Sequence, residues 1–196
     1  MTSERFDAAI EAIDAANAVD PITITIDGSV EPKELAHARR ATEWVQRLRP
    51  GASEELLLAT RGHHLRRWTS PRSNYPEGRA GYLRWRRDLH TQHARELGEI
   101  LGAAGYDDKT IERVGAIVSK RGLRDDPEVQ TFEDALCLVF LETQVDDVSG
   151  RLPSDKMRDV LRKTAAKMSP DGLQAARTLA LSDDVRAALD TDHEES

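Results

Sequence analysis

An all-α fold is the expectation for this chain of 196 residues. Apolar residues recur at helical spacing in almost every segment, and only residues 22–27 alternate as a strand does. The most apolar stretch, residues 127–145, has the length and pattern of a helix at the centre of a core.

Residues 4–19 read as the first helix, with Phe6, Ile10, Ile13 and Val19 along its inner stripe. Asp20-Pro21 stops it, because the residue before a proline is pushed out of the helical region. Residues 22–27 (ITITID) alternate as a short strand, Gly28 turns the chain, and any sheet is therefore a single ribbon at most. Pro32 opens a helix over residues 32–48, with Leu35, Ala38, Thr42, Val45 and Leu48 inside, and Pro50-Gly51 breaks it. Ser53 caps a helix that Leu56, Leu57 and Leu58 bury, running up to His63-His64. Thr69 to Gly81 holds two prolines, two glycines and two serines and reads as a loop.

A long helix is expected from about Ala80 to Ala103, with His93, Leu97, Ile100 and Leu101 on one face and Gly105 closing it. Asp107-Asp108 starts the next, which buries Ile111, Val114, Ile117 and Val118 and ends at Arg121-Gly122. After the apolar helix, Gly150-Arg151-Leu152-Pro153 is a candidate joint. It divides a domain over residues 1–150 from a C-terminal helical extension over 151–196, with short helices at 154–168, 170–180 and 182–190 and a frayed tail.

The formal net charge of −7 argues against general coating of nucleic acid but allows a local basic pocket. Cys137 is the only cysteine, so no intrachain disulfide forms, and its apolar neighbours make it an inert core thiol. The first residues lack a basic region followed by an apolar stretch, and no run of about 20 apolar residues exists. A secretory signal and a membrane span are not expected, and the cytoplasm is the expected compartment.

One segment departs from the acidic average. Nine arginines lie between Arg61 and Arg95, with only Glu77 and Asp88 opposing them there. The same stretch holds His63, His64, His90 and His93, two of the three tryptophans and two of the three tyrosines. Arginine offers a planar fork of donors that suits phosphate, and histidine ligates metals and moves protons near neutral pH. A phosphate-bearing ligand beside a histidine-rich centre is the expectation. Arg61, Arg66, Arg67, Arg72, Arg79, Arg84 and Arg86 are candidates to neutralise its oxygens, two to four of them reaching it. Arg84 and Arg87 share a face of the long helix, from which Arg86 turns away. Trp68, Tyr75, Tyr82 and Trp85 would stack on a base or fill the core.

Metal-type ligands arrive from four separate elements: His37, the pair His63-His64, His93 with His90 three residues before it, and Asp134. Such an order over a helical bundle can hold a divalent ion from facing helices. The expected cage is His37, His64, His93 and Asp134, with His63 substituting for one of them and manganese, iron, nickel or zinc as the ion. Water on that ion would become an attacking hydroxide, and Glu133 would orient it or take its proton. Glu133 sits one helix position from Asp134, so its alternative role is pairing with an arginine. His193, in the tail, is expected in solvent. Ser70 and Ser73 have no base at a recognisable spacing, and no Walker loop or dinucleotide fingerprint is present.

The order His37…Arg40, Leu56-Leu57-Leu58-Ala59…His63-His64 and Asp134 resembles a degenerate HD-domain pattern over roughly residues 33–145. That resemblance implies an all-α domain, a divalent metal and phosphate-ester hydrolysis. The doublet here is His63-His64 where that superfamily has His-Asp. The segment from His93 through Gly98 and Leu101 to Gly105-Tyr106 is similar to a helix of the same proteins. A closer likeness covers most of the chain. Arg5-Phe6-Asp7, Ile13-Asp14 and Asn17, the run from His64 through Trp68, Pro71-Arg72, Tyr75-Pro76, Arg79 and Tyr82 to Trp85-Arg86, and Glu133-Asp134 through Cys137 to Glu142 resemble the domain of unknown function 4202. That name implies a fold and no activity.

Three functional readings stay open. The first is a metal-dependent phosphohydrolase for a nucleotide or other small phosphate ester, with Glu133 and Asp134 as catalytic groups. The second is a non-catalytic helical module that binds a nucleotide or RNA through the arginine and aromatic segment 61–95. The third is a scaffold whose arginines pair internally with the 35 acidic residues.

Overall fold

The computed structural model describes residues 3–26 and 28–190, and His193 lies outside them. It is all-α with one short ribbon. The helices are α1 (Glu4–Asn17), α2 (Lys33–Leu48), α3 (Glu54–Arg61), α4 (Gly78–Ala103), α5 (Asp108–Val118), α6 (Pro127–Thr143), α7 (Val145–Ser149), α8 (Ser154–Ala165), α9 (Pro170–Ala176) and α10 (Asp183–Asp190). Strands β1 (Thr23–Ile26) and β2 (Ser29–Pro32) pair antiparallel, with Ile26 opposite Ser29. Two 3-10 turns, Arg67–Thr69 and Arg72–Asn74, lie between α3 and α4.

The helix starts follow from their caps. Ser3, Ser53, Asp107, Asp126 and Ser169 each accept a backbone N–H of the first turn, satisfying a donor that the helix itself cannot. Pro127 and Pro170 then occupy first-turn positions where no N–H is needed.

Helix α6 is the centre of the core, as its composition predicts. Val129, Phe132, Ala135, Leu138, Val139 and Leu141 are all buried, and α2 packs along it. Trp44 on α2 donates its indole N–H to Glu142 on α6 at 3.0 Å. Burying a side chain of this kind stabilises by roughly 1.5–3 kcal/mol, so this one layer contributes much of the net stability. The C-terminal helices join the same apolar cluster through Met157, Leu161, Leu173, Ala176, Val185 and Leu189.

Two connections position the site. Asp20 accepts the backbone N–H groups of Ile22 and Glu34 at 2.9 and 3.0 Å, which fixes the ribbon against the start of α2. Segment 69–77 is stapled onto α4: Trp85 donates to the Ser70 carbonyl at 2.8 Å, and Gln92 bonds both Ser70 and Thr69. Gly81 permits that closure, because a Cβ there would stand 1.9 Å from the Pro76 carbonyl oxygen.

Candidate functional site

The site begins where α3 ends. Arg66 adopts the left-handed conformation, φ 49 and ψ 35, at a cost of roughly 1–2 kcal/mol for a residue with a Cβ. Buried Asn17 of α1 meets that cost by accepting the Arg66 backbone N–H at 3.0 Å. Leu65, wholly buried, anchors the turn. His63, His64 and Arg67 then line one side of a cavity of about 260 Å³. Helix α4 supplies Tyr82, Trp85, Arg86, His90 and His93. Phe132 and Leu136 of α6 form the floor, and Lys120 and Lys167 enter from the turns after α5 and α8.

Burial sets the state of three of the cavity's histidines. His63 Nδ1 lies 2.8 Å from the Thr60 carbonyl oxygen, which can only accept, so Nδ1 carries the proton and Nε2 keeps its lone pair. Burial, then the neighbouring His64, holds His63 well below its usual range. His64 Nδ1 lies 3.0 Å from Glu34 Oε2. Burial brings His64 down to about 3, so the neutral ring donates from Nδ1 to Glu34. Its Nε2 faces Arg67 Nη1 at 3.3 Å. Burial opposes the charge of Glu34, but His64 and His37 outweigh that effect and keep the carboxyl well below its usual range. His93, buried and then set against Arg67, is also brought down to about 3. Its Nε2 is buried without a hydrogen-bond partner, an expensive arrangement unless a ligand supplies one.

The cations carry the second feature. No carboxylate lines the cavity among the described residues. Arg67 lies over Trp85 at 5.0 Å and Arg86 over Tyr82 at 6.0 Å, and neither has a carboxylate partner among the described residues. Burial lowers the Arg67 pKa against the opposing charge of Glu34, the mark of a cation partly removed from water. Lys120 and Lys167 both reach Glu133, which is buried behind the wall. Two lysines against one carboxylate leave the wall net positive.

The expected residues sort into those at the cavity and those elsewhere. Arg67 and Tyr82 reach it. Arg61 pairs with Asp14, Arg66 with Glu96 and Arg84 with Asp88. Arg72 braces the loop by donating to the Tyr75 and Pro76 carbonyls at 2.9 and 2.8 Å. Arg79 is exposed and away from the lining. Arg86 lines the cavity too, from a different face of α4 than Arg84 and Arg87, which are exposed and share Asp88. Glu133 pairs with lysines rather than an arginine. Lys120 and Lys167 carried no local signal, since each is a single lysine in a turn distant in sequence.

The proposed metal ligands come together only in part. His63, His64 and His93 are adjacent, with ring centroids 4.2 Å apart for the first pair and 5.8 Å for the second. His37 stands one layer back, its Nδ1 3.8 Å from Glu34 and its Nε2 3.3 Å from the Thr143 hydroxyl. Asp134 accepts from the Ser169 N–H and hydroxyl at 2.8 and 2.6 Å and from Gln130 at 3.0 Å, so it ties α6 to the start of α9. Among the described residues no group of three His, Cys, Asp or Glu side chains is placed to hold a metal ion. The five-residue set therefore does not fit a single cage. Cys137 is buried and its thiol is pushed up to about 12, which leaves it unreactive. No helix among the described residues is long and apolar enough to cross a membrane.

No curated protein and no solved structure matches the chain. A family described as Domain of unknown function (DUF4202) matches residues 7–189, which takes in every residue of the cavity. The chain belongs to the DUF4202 family.

Proposed function

We propose that the chain binds a small phosphorylated ligand, a nucleotide or similar phosphate ester, in the cavity between α3, α4 and α6. The observation that carries this reading is the lining itself: Arg67, Arg86, Lys120 and Lys167 converge there, and no carboxylate among the described residues joins them. A guanidinium held partly out of water with no carboxylate in contact is costly, and a phosphate group offsets that cost through charge-assisted hydrogen bonds. His93 Nε2 adds a polar atom that needs a partner.

The size sets the ligand class. A cavity of about 260 Å³ lies just below the range of about 300–1,000 Å³ typical for small-molecule sites. It takes a phosphate and a sugar-sized group. Tyr82, 43% exposed and 5.9 Å from Trp85, offers an aromatic face at the mouth for a base. A terminal phosphate of RNA presents the same chemistry at its end, but the mouth has little further basic surface of its own: Arg84 and Arg87 share Asp88.

The test is thermal unfolding with inorganic phosphate, adenosine monophosphate and a short 5′-phosphorylated oligoribonucleotide. A ligand held at a hundred times its Kd stabilises by about 2.7 kcal/mol. The reading predicts stabilisation by phosphate and more by the mononucleotide, both lost in Arg67→Ala. No shift with any phosphate-bearing compound would leave the arginines as internal structure. Hydrolysis of the bound ester is a second reading, and the hydrogen bond from His64 to Glu34 favours it.

A further inference from the structure

We infer that His64 is a nucleophilic catalytic residue that accepts a phosphoryl group on Nε2, with Glu34 as its positioning residue; this rests on the cavity being a phosphate site. Three observations meet at this one ring. Its Nδ1 is fixed on Glu34 at 3.0 Å, its ring lines the cavity, and its Nε2 accepts from Arg67 Nη1 at 3.3 Å, a donor that must pass to a phosphate oxygen before Nε2 attacks. A carboxylate on the far nitrogen sets the tautomer and the ring angle, and it meets the positive charge that grows on the ring as Nε2 bonds to phosphorus. Glu34 is itself held: its backbone N–H bonds Asp20 and its carboxylate faces His37 as well.

The step balances for a phosphate monoester. The Nε2 lone pair forms a bond to phosphorus, and the bond from phosphorus to the ester oxygen breaks with its electron pair on that oxygen. The departing oxygen takes a proton from the Lys120 ammonium, which lines the same cavity. Water then attacks the phosphohistidine, the electron pair of the P–N bond returns to Nε2, and the proton of the water restores Lys120. The sum is ester plus water giving alcohol plus inorganic phosphate. Arg67 and Arg86 hold the non-bridging oxygens throughout, where stabilisation of developing charge has its largest effect.

Glu133 has a part in this sequence. It is buried and paired with both Lys120 and Lys167, which holds the Lys120 ammonium at the cavity wall where a basic leaving oxygen departs. A leaving group that is already a weak base, such as p-nitrophenolate, needs no such proton. Turnover of an alkyl phosphate therefore falls further in Lys120→Met than turnover of p-nitrophenyl phosphate does.

The experiment uses the intact chain with p-nitrophenyl phosphate, quenched in alkali so that a phosphohistidine survives, and peptide mass spectrometry to locate the phosphoryl group. The expected result is one acid-labile phosphoryl group on the peptide containing His64. Labelling and turnover disappear in His64→Asn, and both fall about a hundredfold in Glu34→Gln, the scale of a lost acid–base partner. Melting with and without inorganic phosphate is recorded for every variant. A wild type that is stabilised by phosphate but carries no label and shows no turnover overturns the nucleophile while leaving ligand binding standing. Label on another histidine, or undiminished turnover in folded His64→Asn, also overturns it. A wild type that phosphate does not stabilise overturns both the binding reading and this one.

Discussion

Removing the Asp134 carboxylate distinguishes a structural tie from a ligand-site residue. Asp134 is 3% exposed and accepts three hydrogen bonds, two from Ser169 and one from Gln130. Ser169 is the cap of α9, so the carboxylate fixes the start of a helix that packs on α6. Hydrogen bonds to a charged group contribute roughly 1.5–3 kcal/mol each, and three would sum well above 4 kcal/mol if nothing opposed them. Burial does oppose them: it raises the Asp134 pKa, and that desolvation cost vanishes with the carboxylate. The half-buried Ser169 can also turn to water once released. The net loss for Asp134→Ala is about 3 kcal/mol, which lowers Tm by about 6–12 °C in a domain of this size. Circular dichroism melts, each with and without inorganic phosphate, read both quantities. The variant should melt early and keep the full phosphate-induced shift. A variant that melts like the wild type but loses the phosphate shift would refute the reasoning and place Asp134 in the ligand site.

Three further outcomes follow from the same geometry. Gly81→Ala sets a Cβ against the Pro76 backbone oxygen and should cost about 1–3 kcal/mol, the range for overpacking, whereas Gly51→Ala meets nothing within 4 Å and should be neutral. Equal melting of the two would contradict the close approach of the loop to α4. Acid should destabilise the fold early: His64 and His93 sit at about 3 when folded but at about 6.5 when exposed, so the unfolded chain binds protons first as pH falls. Each contributes a loss of up to about 1.4 kcal/mol per pH unit between those values, and a flat denaturation midpoint from pH 7 to 5 would contradict neutral, buried rings. Cys137 should resist iodoacetamide at pH 8 in the native state and react on unfolding, and rapid native labelling would show that its wall opens.

Much of the architecture was legible because it is written in local spacing. The residues that start α3 and α5, the apolar run of α6, and the stripe of His93, Leu97 and Leu101 on α4 each act within a few positions of themselves. The ribbon was legible as one strand and a turn; β2 was not, because Ser29–Pro32 has no alternation and takes its extended form from pairing with β1. The short α7 was also missed, because Val145–Ser149 is too short for a periodic pattern and only Val145 is buried.

The site was legible as a composition and not as a geometry. The enrichment of arginine, histidine and aromatics over residues 61–95 does mark two walls of the cavity. Which arginine faces inward depends on the rotation of α4, and that rotation is set by where Leu89, His93 and Leu97 bury. This turns Arg86 inward and leaves Arg84 and Arg87 outside. Asp134 carries a metal-type side chain in a buried helix, and only the fold shows that the Ser169 cap is its partner. Glu34 has no distinguishing neighbour in sequence; it matters because α2 and the turn after α3 meet at His64.

The central claim, that Arg67 and Arg86 hold a phosphate group, is tested most directly by calorimetric titration of inorganic phosphate into the wild type, Arg67→Ala and Arg86→Ala. Each arginine contributes a charge-assisted interaction of about 1.5–3 kcal/mol, so each single variant should bind about ten to a hundred times more weakly while melting within a few degrees of the wild type without phosphate. Phosphate binding of equal strength in all three proteins, or none in the wild type, would contradict the account.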